Sequence, residues 1–139
     1  MDVPSVVLDT NVLYAGLYSS TGMSFRLLSA LSEGRFKVIL STALVFEYED
    51  ILKRRKKELR LSDTTIETIL DNLCLQGFFK KVHFLWRPQL RDPKDDHILE
   101  LAVAANGRPI VTYNKSDFEG AESFGVRILS PKQFWEESL

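Results

Sequence analysis

The sequence predicts an α/β fold, in which a mainly parallel sheet of four to five strands lies between helical layers in a three-layer α/β/α arrangement. Three observations carry this prediction. Short apolar runs rich in β-branched residues recur as "SVVLD" (5–9), "KVIL" (37–40), "PIVTY" (109–113) and "VRIL" (126–129). Runs of this length without polar alternation suit strands covered on both faces. Helical periodicities fill the intervals between them, and strands alternating with helices imply a parallel sheet with right-handed crossovers. No repeat, low-complexity stretch or linker interrupts residues 1–139, which are expected to form a single domain.

The first strand, 5–9, runs into an abrupt polar triplet, Asp9, Thr10 and Asn11. "GMSFRLLSALSEG" (22–34) carries Phe25, Leu28 and Leu31 at helical spacing and stops at Gly34, a residue suited to a helix end. After "KVIL", "TALVFEYEDILKRRKKELR" (42–60) places Leu44, Val45, Tyr48, Ile51 and Leu52 on one helical face. "SDTTIETILDNLCLQG" (62–77) opens with hydroxyl and acidic caps, buries Ile66, Ile69, Leu70 and Leu73, and stops at Gly77. "KKVHFL" (80–85) is a further strand candidate. "DDHILELAVAANG" (95–107) is a helix with an acidic start and an Asn106-Gly107 close, and "SPKQFWEESL" (130–139) begins with Ser130 as N-cap and Pro131 in the first helical position.

At 139 residues and 45% hydrophobic content the chain can bury a real core. A net charge of −1 gives no global sign of a nucleic-acid or membrane partner, although local charge can differ from the total. The single Cys74 excludes an internal disulfide, fits a reducing compartment and sits at apolar helical spacing as a core residue. The acidic start, "MDVPSVVLD", is no basic-then-apolar signal, and no apolar run approaches the roughly 20 residues that span a bilayer. A soluble cytoplasmic protein without a membrane partner is expected.

Binding sites in open α/β sheets form beyond the carboxyl ends of the strands. Asp9 stands at such an end, Glu47 near the start of the helix after "KVIL", Asp95 and Asp96 at the head of "DDHILELA", and Asp117 just past "PIVTY". Each alone has an ordinary reading. An Asp after a strand is a turn residue or helix cap, Glu47 a solvated helix residue, and Asp95 and Asp96 a favourable charge at a helix N-terminus. Together they are carboxylates that repel unless one is protonated or a cation sits among them. An all-oxygen set points to a hard divalent ion, Mg²⁺ or Mn²⁺, and such an ion suits hydrolysis of a phosphodiester. Periodicity does not choose between Asp95 and Asp96.

The runs "VVLDTNVL" (6–13), "ILSTALVFEYEDIL" (39–52) and "DPKDDHILELAVAANGRPIVTYNKSDF" (92–118) resemble the PIN-domain family, in the branch of toxins from toxin–antitoxin pairs, the VapC-like ribonucleases. The resemblance spans essentially the whole chain. It implies an α/β/α fold and a metal-dependent ribonuclease. It implies Asp9 as the first metal ligand, Glu47 as the second family acid and Asp96 as the third, because Asp96 stands sixteen residues before Thr112. Thr10 and Asn11 complete the first motif and orient Asp9 and bound water, with Thr112 as a supporting hydroxyl. Many relatives carry an acid where "TYN" places Asn114; others have Asn there with an acid three residues on, here Asp117. The fourth acid is therefore displaced to Asp117 or absent from the metal's immediate ligands. One firm ion site is expected, with a second filled when substrate phosphate arrives. The resemblance also implies a small protein antitoxin and a homodimer.

Single-stranded or structured RNA must then be held beside an acidic pocket. "KRRKKELR" (53–60) supplies Lys53, Arg54, Arg55, Lys56, Lys57 and Arg60, which either follow phosphates or form a solvated helix end. Lys115, Arg26, Arg87 and Arg91 are further candidates, and Trp86 either stacks on a base or anchors the core. His83 and His97 receive no catalytic role. Two alternatives remain: a non-catalytic RNA-binding or protein-interaction module on the same fold, fed by Asn114, and a receiver-like phosphoacceptor domain. The receiver reading needs an acidic pair after the first strand and an Asp after a middle one, whereas here the pair lies late and "KVILSTA" has no Asp.

Overall fold

β1 (Ser5–Leu8), β2 (Lys37–Leu40), β3 (Phe78–Phe79), β4 (Ile110–Val111) and β5 (Ile128–Leu129) form one sheet in the order β3-β2-β1-β4-β5. Every pairing is parallel, with Val6 opposite Val38, Val7 opposite Ile110, Ile39 opposite Phe78 and Ile110 opposite Ile128. The computed structural model describes residues 3–82 and 95–139. Val6, Val7, Leu8, Val38, Ile39, Leu40, Ile110 and Val111 are all buried, so side chains on both faces of the central strands leave water. That is why their sequences are unbroken apolar runs rather than alternating ones.

The helices are α1 (Thr10–Tyr18), α2 (Met23–Ser32), α3 (Thr42–Arg54), α4 (Lys56–Leu59), α5 (Asp63–Gln76), α6 (Asp96–Ala104) and α7 (Pro131–Ser138). The cap residues mark most of their ends. Ser62 and Ser130 accept from Thr65 N and Gln133 N, and Gln133 returns a bond to Ser130 N, closing a capping box. α6 ends where Asn106 and Gly107 take positive φ and Gly107 N donates to Ala102 O at 2.9 Å.

Three elements differ from the sequence expectation. α1 has no strong apolar periodicity; Thr10, Asn11 and Gly16 are weak helix formers, and its formation is owed to tertiary contact. Gly16 lets α1 lie directly on α2, since a Cβ there would stand 2.5 Å from Leu28 Cδ1 and 2.9 Å from Ser24 O. The helix expected over 42–60 breaks at Arg55 into α3 and α4, and Arg60 closes the second piece in the left-handed region at φ 58. The strand expected over 80–85 is displaced: the strand is Phe78–Phe79, and residues 80–82 follow it without strand structure. Gly77 brings the chain straight from α5 against β2, because a Cβ there would meet Leu40 Cδ1 and Val38 O at 2.9 Å. Lys80 N donates to Leu40 O at 2.9 Å just beyond that strand, and residues 83–85 lie outside the described residues.

The chain moves outward from β1 through β2 to β3, then returns to β4 on the other side of β1. The connections leaving β1 and β4 therefore run to opposite sides of the sheet, and the crevice at the carboxyl ends of these two strands is where such sheets bind ligands. Among the described residues no helix is long and apolar enough to cross a membrane.

Candidate active site

Asp9 lies in that crevice, immediately after β1, and is only 9% exposed. It caps α1, with Oδ1 accepting from Thr10 N at 2.8 Å. The other oxygen, Oδ2, accepts from the hydroxyl of Thr112 at 2.8 Å. Thr112 is fully buried just past β4, and its oxygen accepts from Asn114 N at 3.0 Å and from Asn11 Nδ2 at 3.4 Å. With those lone pairs occupied, the hydroxyl proton is directed to Asp9. Asn11 Oδ1 accepts from Tyr113 N at 3.4 Å, so Thr10, Asn11, Thr112 and Asn114 lace the loops after β1 and β4 together around one carboxylate. Asp9 is thus a helix cap through one oxygen and a cross-crevice acceptor through the other.

Glu47 is delivered by its neighbour. Tyr48, buried in α3, donates its hydroxyl to Leu8 O at 2.5 Å, which ties α3 to the last residue of β1. Glu47 then meets Thr10, whose hydroxyl donates to Glu47 Oε2, while Glu47 Oε1 bonds His97 Nε2 at 2.9 Å. Burial raises the Asp9 carboxyl above its ordinary range; the Thr112 hydrogen bond opposes this, and the charges of Glu47 and Asp117 reinforce it. For Glu47, burial also works upward, but hydrogen bonds from His97 and Thr10, with the His97 charge, outweigh it and hold the carboxyl low. One acid is therefore strained toward its neutral form, and the other is kept ionised.

Asp117 sits in the 3-10 turn Lys115–Phe118, half-buried, with its N–H donating to Asn114 O at 3.0 Å. Its charge reaches Asp9, whereas the exposed Asn114 joins the cluster through its backbone. Asp96 opens α6 and is fully buried. α6 lies against β1, β2, β4 and α3, and the residue after Asp96, His97, is the one that reaches Glu47. Sequence reasoning passed over two residues here. His97 joins the site directly, and Glu100, one helical turn beyond Asp96 and 3% exposed, lines with His97 a cavity of about 550 Å³ beyond the ends of β2 and β3. The signal for Glu100 was present, as an acid at i+4 from Asp96 within an apolar helix.

A second cavity, of about 510 Å³, runs from Thr10, Asn11 and Glu47 to Tyr14, Ile51, Arg54 and Arg55. Most of the basic run is engaged with acids: Lys53 with Glu49 and Glu67, Arg54 with Asp50, Arg55 with Glu58, and Lys56 with Asp63. Lys57 and Arg60 are exposed, and Lys115 donates to Gln133 Oε1 at 3.0 Å. His83, Trp86, Arg87 and Arg91 lie outside the described residues.

Among the described residues, no three Asp, Glu, His or Cys side chains converge tightly enough to hold a metal ion by themselves. The donor chemistry nevertheless fits Mg²⁺ or Mn²⁺. The groups are oxygen donors, Asp9 is desolvated and under negative potential from Glu47 and Asp117, and such ions bind through one or two carboxylates while keeping several waters.

No curated protein sequence matches the chain. Among solved structures, it resembles a chain of VapBC2 from Rickettsia felis, crystallised bound to a DNA fragment from their promoter. The TM-score is 0.62 at 14% identity, over 91% of this chain and 98% of that one, a likeness of fold. The PIN domain family model matches residues 5–116, taking in β1 through β4 with Asp9, Glu47, Asp96 and Thr112, and the chain belongs to the PIN domain family.

Proposed function

We propose that this chain is a metal-dependent endoribonuclease that hydrolyses RNA phosphodiester bonds, and that it is the toxin of a toxin–antitoxin pair. The observation that carries the catalytic reading is the pair of contrasted acids in the β1–β4 crevice: Asp9, raised by burial and by the charges of Glu47 and Asp117, beside Glu47, held ionised by His97 and Thr10. A buried carboxylate under like-charge pressure is stabilised by a cation. Asp9 and Asp96 would hold Mg²⁺ or Mn²⁺, with Asp117 completing the acidic pocket. When bound, the ion supplies a lowered pKa for a coordinated water and neutralisation of phosphodiester charge.

The protein's own groups supply the rest. Thr112 and Thr10 fix the direction of the Asp9 oxygens. Glu47, ionised and half-buried, accepts a proton from, or orients, the water that attacks phosphorus. The bond to the 3′ oxygen breaks, leaving a 5′-phosphate and a 3′-hydroxyl. The cavity bordered by Arg54 and Arg55 leads RNA to these acids. The toxin role and a small protein antitoxin are supported by the family and by the likeness to VapBC2. A homodimer and cytoplasmic action accompany that reading.

A non-catalytic RNA-binding module is the second reading, favoured by Asn114, which stands exposed where many relatives carry an acid and joins the cluster only through its backbone. End-labelled RNA incubated with Mg²⁺, Mn²⁺ or EDTA, beside an identically prepared Asp96→Asn protein, separates the two. Cleavage that needs metal and is lost in the variant is expected. RNA binding with no cleavage under any metal would favour the module.

A further inference from the structure

We infer that His97 is a positioning residue, which fixes the Glu47 carboxylate by donating its Nε2–H to Oε1 and so holds α6 and α3 in catalytic register. The contact is 2.9 Å, from a side chain only 15% exposed to one 30% exposed. Glu47 has three rotatable bonds, and its position at the edge of a cavity leaves it free to swing unless both oxygens are held. Thr10, at the head of α1, takes Oε2, and His97, on α6, takes Oε1. The carboxylate plane is thereby set by two elements other than its own helix.

The remainder of the ring argues that this bond is its purpose. His97 Nδ1 is enclosed and has no hydrogen-bond partner among the described residues. A buried nitrogen without a partner is unfavourable, and a leucine would fill the same space without that penalty. The bond to Glu47 is what the imidazole offers that an apolar side chain does not. The contact also links the two acidic segments of the family motif: His97 follows Asp96 directly, so the same turn of α6 that presents Asp96 reaches Glu47.

The consequence for catalysis rests on the nuclease reading; the geometric claim does not. The test compares His97→Ala with His97→Gln, whose amide nitrogen occupies nearly the place of Nε2 and can donate to Oε1. His97→Ala is expected to lower kcat on RNA by about 10- to 100-fold, the usual range for groups that orient metal-site ligands. KM should be little changed and Mn²⁺ binding by calorimetry weakened, while His97→Gln recovers most of both losses. Equal impairment in the two variants, or none in either, would overturn the inference. Nitrogen-15 spectra of the metal-free protein provide the independent arm: Nε2 should carry a proton, and its resonance should move in Glu47→Gln. An unprotonated Nε2, or no response to Glu47→Gln, overturns the positioning role even if the enzyme is active. A wild-type protein that neither cleaves RNA nor binds Mn²⁺ removes the nuclease reading instead, and the ring spectrum still decides the geometric claim.

Discussion

Thr112 donates its hydroxyl to Asp9 Oδ2 at 2.8 Å across 103 residues of sequence, joining the carboxyl ends of β1 and β4 at the point where the sheet's connections diverge. The bond is made by a buried hydroxyl whose own acceptor sites are taken by Asn114 N and Asn11 Nδ2, so its proton has one destination. Thr112→Val keeps the shape and removes the donor. Mn²⁺ affinity or RNA cleavage is expected to fall by about 10- to 100-fold, measured by calorimetry and by initial rates. A variant indistinguishable from wild type would mean that the contact serves only the fold.

The Asp9 carboxyl binds its proton more tightly in the folded protein than in the unfolded chain, because burial raises it from an ordinary 3.8. Between these two values the folded state holds more protons, so the contribution of Asp9 to stability is full at low pH and is lost as pH rises through the folded value. Glu47 has the opposite sign: its stabilisation is present above the ordinary 4.5 and is lost as pH falls through the lowered folded value. Denaturant melts of metal-free protein should show Asp9→Asn relieved of the loss on raising pH above about 4. Saturating Mn²⁺ should stabilise the wild type and not the variant. Parallel pH profiles for the two proteins would refute the assignment of that loss to Asp9.

Tyr48→Phe removes the hydroxyl that holds α3 to Leu8 O. A buried carbonyl left without this donor should reduce stability by about 1–3 kcal/mol. Because Glu47 is the adjacent residue, kcat should fall alongside. Loss of stability with kcat intact would show that Glu47 is positioned by Thr10 and His97 alone.

The parallel sheet was legible in the sequence because both-face burial leaves no polar alternation to misread, and the helix ends were legible at Ser62 and Ser130 from their capping hydroxyls, at Asn106-Gly107 from positive φ and at Gly77 from close approach to β2. α1 was only partly legible: Asp9 is its cap, but the close approach to α2 that Gly16 permits at Leu28 and Ser24 is encoded by no local pattern. In the site, Asp9 and Glu47 drew attention as acids beside apolar segments, and the structure brings them together through Thr10. Asp96 was separable from Asp95 only by the family spacing; in the structure Asp96 is the fully buried one. The role of His97 depends on how α6 crosses α3, a tertiary fact. The ion pairs of the basic run were partly readable, since Glu49–Lys53 and Asp50–Arg54 stand at i,i+4.

Arg55 lines the cavity beside Glu47, pairs with Glu58 and lies over the Tyr14 ring at 5.6 Å. If it contacts a phosphate, Arg55→Ala should weaken RNA binding and reduce the slope of log affinity against log salt by about 1. An unchanged slope would restrict Arg55 to its partners within the protein.

The most direct measurement is the chemistry of the ends left on cleaved RNA, for wild type and Asp9→Asn prepared side by side with Mn²⁺. Hydrolysis by an activated water predicts 5′-phosphate and 3′-hydroxyl ends from the wild type, abolished by EDTA and absent from the variant. Ends bearing 2′,3′-cyclic phosphate, or cleavage by wild type and variant alike in EDTA, would contradict an active site built on Asp9.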